Sequence, residues 1–322
     1  MSKRFAKILV AAACLTVPVS SLHAAQLSSD ARAAIPHDVQ QLVVIDYRAM
    51  QNSGTAMALR DRVMPPELKQ FDEALRKSGL NENHDVDQLA FALFRGGDRS
   101  GDSADSVVTL GIAQGQFPMQ DILADFKKKG VKPSAVRTNR IYPMGKTGMM
   151  LCFVDASTMV FGGMDAIKAS LDARDGYSGN LLTNSSIMDA MRTVDAEALW
   201  SVLDEKGTQT MMKQVLGEAG SLTDYESVRK RLQVSYYSMD FQHGVKFNLT
   251  ILTGDAFAAA TVSSLLNAAV VYRKMTGDET EKMAMSDTDV SSDSGKLNVR
   301  FTASDSDFAG LLKSQLFQSM VR

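Results

Sequence analysis

Gly145-Lys146-Thr147, within the stretch "YPMGKTGMM", are the residue types that close a phosphate-binding loop in many nucleotide hydrolases. In such a loop backbone N–H groups wrap the phosphates along the whole turn, so a glycine is also needed at position 140 and a helix must open behind the loop. Here position 140 is Arg140, succeeded by Ile141, Tyr142 and Pro143, and the proline has no N–H to offer. The next stretch, "TGMMLCFVD", has the composition of a strand. Gly145 to Gly148 is therefore read as a hairpin turn, and no nucleotide is expected there.

The other chemistry-bearing patterns fail for similar reasons. "FGGMDAIKASL" places a strand, a glycine pair and a helix in succession, but lacks the third glycine and the downstream acidic residue of a dinucleotide site. It reads as a plain strand-to-helix connection with Asp165 favourable in the first turn. His84-Asp85-x-Asp87 is a local metal candidate, yet the remaining histidines beyond residue 25, His37 and His243, lie far away in sequence, and no His-x₃-His or Cys-x₂-Cys spacing exists. The bland alternative is a polar loop with Asp85 or Asp87 bonding local backbone. "SDTDVSSDSG" groups Asp287, Asp289 and Asp293 as a calcium loop would, but Ser292 stands where an EF-hand needs glycine and Asn298 where it needs a bidentate Glu. A solvated acidic loop is expected instead. No Gly-x-Ser-x-Gly elbow occurs, and Cys152 in "MMLCFV" reads as a buried, inert thiol. No catalytic, cofactor-binding or metal-ligating residue is assigned, and no cofactor is expected; carboxylates brought together by folding leave no local signature.

The elements that position these residues read as α+β. "QQLVVIDY" is a buried strand, and a helical stretch from Gly54 to Lys77 breaks at Pro65-Pro66, because the first proline pushes Met64 out of helical geometry. "QLAFALF" and "VVTLGIAQG" form a hairpin across the polar turn "GGDRSGDSADS". A helix from Phe117 to Lys129, the strands around Gly145, "TMVFG" and a helix from Met164 to Ala173 complete a first unit. Periodicity lapses in "DARDGYSGNLLTNSS", which marks a joint near residues 175 to 185. Beyond it the order recurs: "EALWSVLD", helices over 208 to 230, "RLQVSYYSMDF", a turn at His243-Gly244, "VKFNLTILTG", a helix from Ala256 to Lys274, "KLNVRFTAS" and a helix from Asp305. Two similar units, 26–176 and 177–322, are predicted, each mainly antiparallel sheet with helices packed on one face.

"KSGLNENHDVDQLAFAL" combines a helix end, Gly-Leu, a polar loop, Asp85-Val86 and a strand. It resembles a recurring signature in exported bacterial proteins of a domain-of-unknown-function family built from paired α+β repeats. The resemblance covers this short stretch and the order of elements, and implies no catalytic residue. Read residue by residue, Gly79 supplies the helix stop, Asn81 and Asn83 suit the turn, and Val86, Leu89, Phe91 and Leu93 supply apolar contacts.

The first residues carry Lys3, Arg4 and Lys7, an apolar run from Ile8 to Val19 and then small residues, the layout of a secretory signal peptide over 1–25, cut after Ala24 or Ala25. A competing lipoprotein reading through Ala12-Ala13-Cys14 is opposed by the apolar "LTVPV" directly after the cysteine. Removal of 1–25 takes three of the 35 basic residues and none of the 37 acidic ones, leaving 32 against 37 and a net charge of −5. That balance offers nucleic acid no basic partner. One cysteine remains, so no internal disulfide holds the fold. The Ala-rich "AFAAATVSSLLNAAVVYRK" is interrupted by Thr261, Ser263, Ser264 and Asn267 and reads as a helix packed on a sheet, not as a membrane span. Methionine, with 18 residues beyond the initiator, fills core gaps and suits an adaptable apolar surface. These features point to a periplasmic or secreted, non-enzymatic binding or assembly protein with a protein, peptide or lipid partner. The alternatives are a lipid or lipoprotein carrier, or a hydrolase using carboxylates or a serine nucleophile.

Overall fold

The structure, a computed structural model, describes residues 26–95, 107–144, 148–216, 225–314 and 317. The signal-peptide reading of 1–25, the polar turn from 96 to 106 and Gly145-Lys146-Thr147 lie outside the described residues. In chain order the elements are α1 (Ser29–Ala33), β1 (Val39–Asp46), α2 (Tyr47–Gln51), α3 (Gly54–Val63), α4 (Pro66–Lys77), α5 (Glu82–Asp85), β2 (Val86–Arg95), β3 (Val107–Gly115), α6 (Met119–Lys128), β4 (Ser134–Val136), β5 (Asn139–Pro143), β6 (Met150–Phe153), β7 (Thr158–Gly162) and α7 (Met164–Arg174). They continue with α8 (Ser185–Val194), β8 (Leu199–Leu203), α9 (Glu205–Leu216), α10 (Tyr225–Arg229), β9 (Leu232–Asp240), β10 (Val245–Thr253), α11 (Ala256–Thr276), α12 (Glu279–Ser286), β11 (Thr288–Asp293), β12 (Lys296–Ala303) and α13 (Asp305–Leu311).

The fold is α+β around one antiparallel sheet of twelve strands, in the order β11-β12-β10-β9-β8-β1-β2-β3-β7-β6-β5-β4. At its centre β1 pairs with β8, Val44 opposite Trp200 and Ile45 opposite Leu199, so the two halves of the chain share a continuous sheet. The segment read as a joint is docked rather than loose: Leu181 N–H donates to Ile35 O at 2.9 Å, and Leu181 is fully buried.

The helices cover both faces of the sheet, not one. Because strand side chains alternate, Val44, Ala90, Ile112 and Val160 line one face, joined by Trp200, and Leu89, Phe91, Ala113 and Met159 line the other. On the first face α1, α7 and α8 bury Ala31, Ile167, Leu171, Ile187 and Met191. On the second, α4 and α6 bury Phe71, Leu75, Ile122 and Phe126, and α11 buries Val262 and Leu266 over Leu249 and Ile251. Both alternating sets are apolar in the central strands, so each demands a cover. Farther out, the residues in line with Val44 and Trp200 become Ser238, Asn248 and Arg300, and there the first face turns polar.

Local signals account for many boundaries. Met64 adopts ψ 118°, outside the helical region, and Pro66 opens α4 in the first turn. Gly79 (φ 99°) and Gly130 (φ 70°) come just after the ends of α4 and α6, in the left-handed region that glycine tolerates. Besides the short helices α1, α5 and α12, which local signals did not announce, α8 and β11 differ from the sequence reading. The periodicity does not announce α8, although the Asn184 side chain caps it by accepting from Ile187 N–H at 3.2 Å and Ile187, Ala190, Met191 and Val194 fall on its buried face. "SDTDVSSDSG" is not a loop: it forms the edge strand β11 and a tight turn to β12 through Ser294 (φ 48°) and Gly295 (φ 84°). Pairing with β12 overrides the weak strand propensity of Ser and Asp, and a charged edge blunts further strand addition.

Candidate functional site

The residues flagged by sequence take structural places. Around Gly145-Lys146-Thr147, Tyr142 pairs with Leu151 and Pro143 with Met150, antiparallel, so the chain returns as a strand and not as a helix. Gly163 leads into α7 with Asp165 in its first turn. Asp85 accepts from Asn81 N–H at 2.7 Å and lies 3.0 Å from His84 Nδ1, while Asp87 pairs with Arg48. Among the described residues no group of three or more His, Cys, Asp or Glu is placed to hold a metal ion. Cys152 is fully buried in β6, and burial pushes its thiol pKa up.

Titratable groups do converge at one place that the sequence left unmarked. α2 supplies Tyr47, α3 Arg60, α4 Asp72 and Arg76, and α5 Glu82. The packing begins with Asp46, whose carboxylate caps α2 by accepting from Ala49 N–H at 2.8 Å and so turns Tyr47 inward to 2 % exposure. Arg60 Nη1 donates to the Tyr47 hydroxyl at 2.7 Å and stands 3.5 Å from Glu82 Oε1. Arg76 Nη2 lies 3.0 Å from Asp72 Oδ2 and also pairs with Glu82. Burial, then the hydrogen bond and charge of Asp72, raise the Glu82 pKa; burial, then the charge of Glu82, push Tyr47 up to about 12. Only the Asp72–Arg76 spacing on one helix could have been seen in the sequence.

A carboxyl pair with one raised pKa is able to hold and release a proton, but this pair is already engaged. Asp72 and Glu82 share the guanidinium groups of Arg60 and Arg76. Glycoside hydrolysis needs carboxyls roughly 5–9.5 Å apart, with a sugar or water between them. Among the described residues, a cavity of about 10 Å³, room for one water, lies elsewhere, between α12, α13 and β12 near Ala284, Phe301 and Leu311.

The second feature is the outer surface of α11. The helix has 21 residues, two more than the sequence reading placed in it, and by length and composition it is long and apolar enough to cross a membrane. It is instead laid on the sheet: Ala258, Ala259, Val262, Ser263, Leu265 and Leu266 are buried. On the opposite side Phe257 is 70 % exposed, Tyr272 63 %, Val271 55 % and Met275 77 %, with Met283 of α12 46 % exposed nearby in sequence. The small residues of this helix therefore divide, Ala258 and Ala259 toward the sheet and Ala260, Ser264 and Ala268 toward solvent. The spacing 257, 261, 264, 268, 271, 275 was present in the sequence as a second helical stripe, but composition alone does not say which stripe meets the sheet.

No family model matches the chain. No curated protein matches it either. Among solved structures it is similar to crystal form I of TP0453, with 9 % identity, a TM-score of 0.49, and coverage of 87 % of this chain and 95 % of that one. Crystal forms III and IV of TP0453 give TM-scores of 0.47 at 9 % identity, covering 87 % and 88 % of this chain and 96 % of each of those.

Proposed function

We propose that the chain is exported to the periplasm or secreted and works there as a binding or assembly protein, docking through the outer face of α11 rather than turning over a substrate. The observation that carries this reading is the run of exposed apolar residues Phe257, Val271, Tyr272 and Met275 on the side of α11 away from the sheet. Soluble chains keep such surface small unless something covers it. Export rests on the basic start and apolar run of residues 1–25, and the resemblance of "KSGLNENHDVDQLAFAL" to exported proteins agrees with it.

A carrier of acyl chains needs an apolar cavity of roughly 300–1,000 Å³, and the cavity of about 10 Å³ lends that alternative no support. A hydrolase reading is favoured only by the Asp72–Glu82 pair, whose oxygens are spoken for by Arg60 and Arg76.

The test is native mass spectrometry of the exported protein beside its Val271→Ser, Met275→Ser double variant. The wild type is expected to begin at Ala25 or Gln26 and to retain a complex that the variant loses with its fold intact. Turnover of an ester, glycan or peptide that Glu82→Gln abolishes would overturn the binding reading, and an acylated Cys14 would overturn the cleavage site.

A further inference from the structure

We infer that the first face of the sheet binds ordered water beneath the start of α1, held by Gln88 and Thr158. Asp46, Gln88, Gln114 and Thr158 stand side by side in register on β1, β2, β3 and β7. Each lies two residues along its strand from Val44, Ala90, Ile112 and Val160 respectively, so alternation turns all four toward the same core. One row of this face is thus polar where the next is apolar. Gln88 is 2 % exposed and Thr158 1 %, so both polar side chains are enclosed. The cover is the beginning of α1: Ser28 N–H donates to Gln114 Oε1 at 3.2 Å, and Leu27 and Ala31 are buried on either side of it.

The neighbouring oxygens are committed. Gln114 Oε1 accepts from Ser28, Asp46 Oδ1 accepts from Ala49 N–H at 2.8 Å, and Ser28 Oγ caps α1 by accepting from Ala31 N–H at 3.1 Å. Gln88 Oε1 and Thr158 Oγ1, by contrast, are buried and have no hydrogen-bond partner among the described residues, and the same is true of Arg32 Nε, one turn beyond Ser28 on α1. Native chains rarely leave such atoms unpaired, because each forfeits the bond that it makes to solvent in the unfolded chain. Water is the ligand whose chemistry matches. It both donates and accepts, so it serves the Gln88 oxygen, which only accepts, and the Thr158 hydroxyl, which does either. Exchanging the oxygen and nitrogen of the Gln88 amide would put a donor in the same place, and water serves that equally. A cation matches less well, since the row has one carboxylate, Asp46, whose Oδ1 already caps α2. The start of α1 is therefore seated on a wet row, while the rest of the first face packs dry.

The test joins a high-resolution crystal structure of the exported protein to urea unfolding of Thr158→Val. Density for water is expected within about 2.5–3.2 Å of both Gln88 Oε1 and Thr158 Oγ1. Valine has the shape of threonine without the hydroxyl. If the hydroxyl is bonded to water, its removal strips that water of a partner and lowers the urea midpoint at unchanged slope. If the hydroxyl is unbonded, its removal relieves a desolvation cost and raises the midpoint. The sign of the shift therefore separates the two cases. Thr109→Val, at an exposed position of β3, is the control for the strand preference of valine. Density missing at either atom, a protein group bonded there in its place, or a midpoint that Thr158→Val fails to lower relative to Thr109→Val overturns the inference. Should Thr158→Val not fold, the density of the wild type decides.

Discussion

Arg60 Nη1 donates a 2.7 Å hydrogen bond to the hydroxyl of Tyr47, and its guanidinium carbon stands 5.6 Å from the centre of the same ring. One side chain thus ties α3 to α2 through both the polar and the apolar part of the tyrosine. Tyr47→Phe keeps the ring and removes the acceptor, leaving a largely buried cation short of a partner. The expected cost is about 1–2 kcal/mol, read as a lower urea midpoint at constant slope. An unchanged midpoint would show that water replaces the hydroxyl.

Glu82 makes stability depend on pH in an unusual direction. Burial first, and Asp72 second, hold its carboxyl above the ordinary value of 4.5, so the folded chain keeps the proton to higher pH than the unfolded chain does. The stabilisation is complete below pH 4.5 and is lost as pH rises through the raised folded value. Glu82→Gln stays neutral throughout, so its melting temperature is expected to fall less than that of the wild type as pH rises through this window. Parallel profiles would mean that Arg60 and Arg76 outweigh burial.

Gly111 of β3 sits across from Phe161 of β7, whose ring stacks on Phe71 of α4 with centroids 4.6 Å apart. A Cβ at position 111 would meet the Phe161 ring. Gly111→Ala must displace that ring from the stack and is expected to destabilise by about 1–3 kcal/mol. Gly163→Ala, where nothing stands within 4 Å of the new methyl group, is the control, with an expected cost below about 1 kcal/mol. Equal effects at both sites would refute the packing argument.

Trp200, the chain's single tryptophan, lies in β8 at 1 % exposure between Val44 of β1 and Ser238 of β9. Its core also takes in Ile112, Ile167 and Met191, from both sides of residue 176. Tryptophan fluorescence and far-ultraviolet circular dichroism are therefore expected to report one coincident urea transition. Two separated transitions would mean that 26–176 and 177–322 unfold as independent units.

The features legible in the sequence are those set by a few neighbouring residues. Pro65-Pro66 splits a helix because proline restricts the residue before it, and Gly79 and Gly130 stop helices because they accept positive φ. The antiparallel α+β class comes from strand-length apolar runs between turn signals, and α8 could have been read from its cap and its apolar spacing. Tertiary structure decided the rest. Alternation along a strand yields two faces but not what covers each, so helices on both faces became visible only once β1 lay between β8 and β2. β11 is a strand only because β12 offers it a ladder. Tyr47, Arg60, Asp72 and Glu82 come from four helices, and the raised pKa values of Tyr47 and Glu82 arise from burial and proximity that no local spacing encodes. α11 carries two apolar stripes in its sequence, and only its seating on β10, β11 and β12 determined which became core and which faces outward.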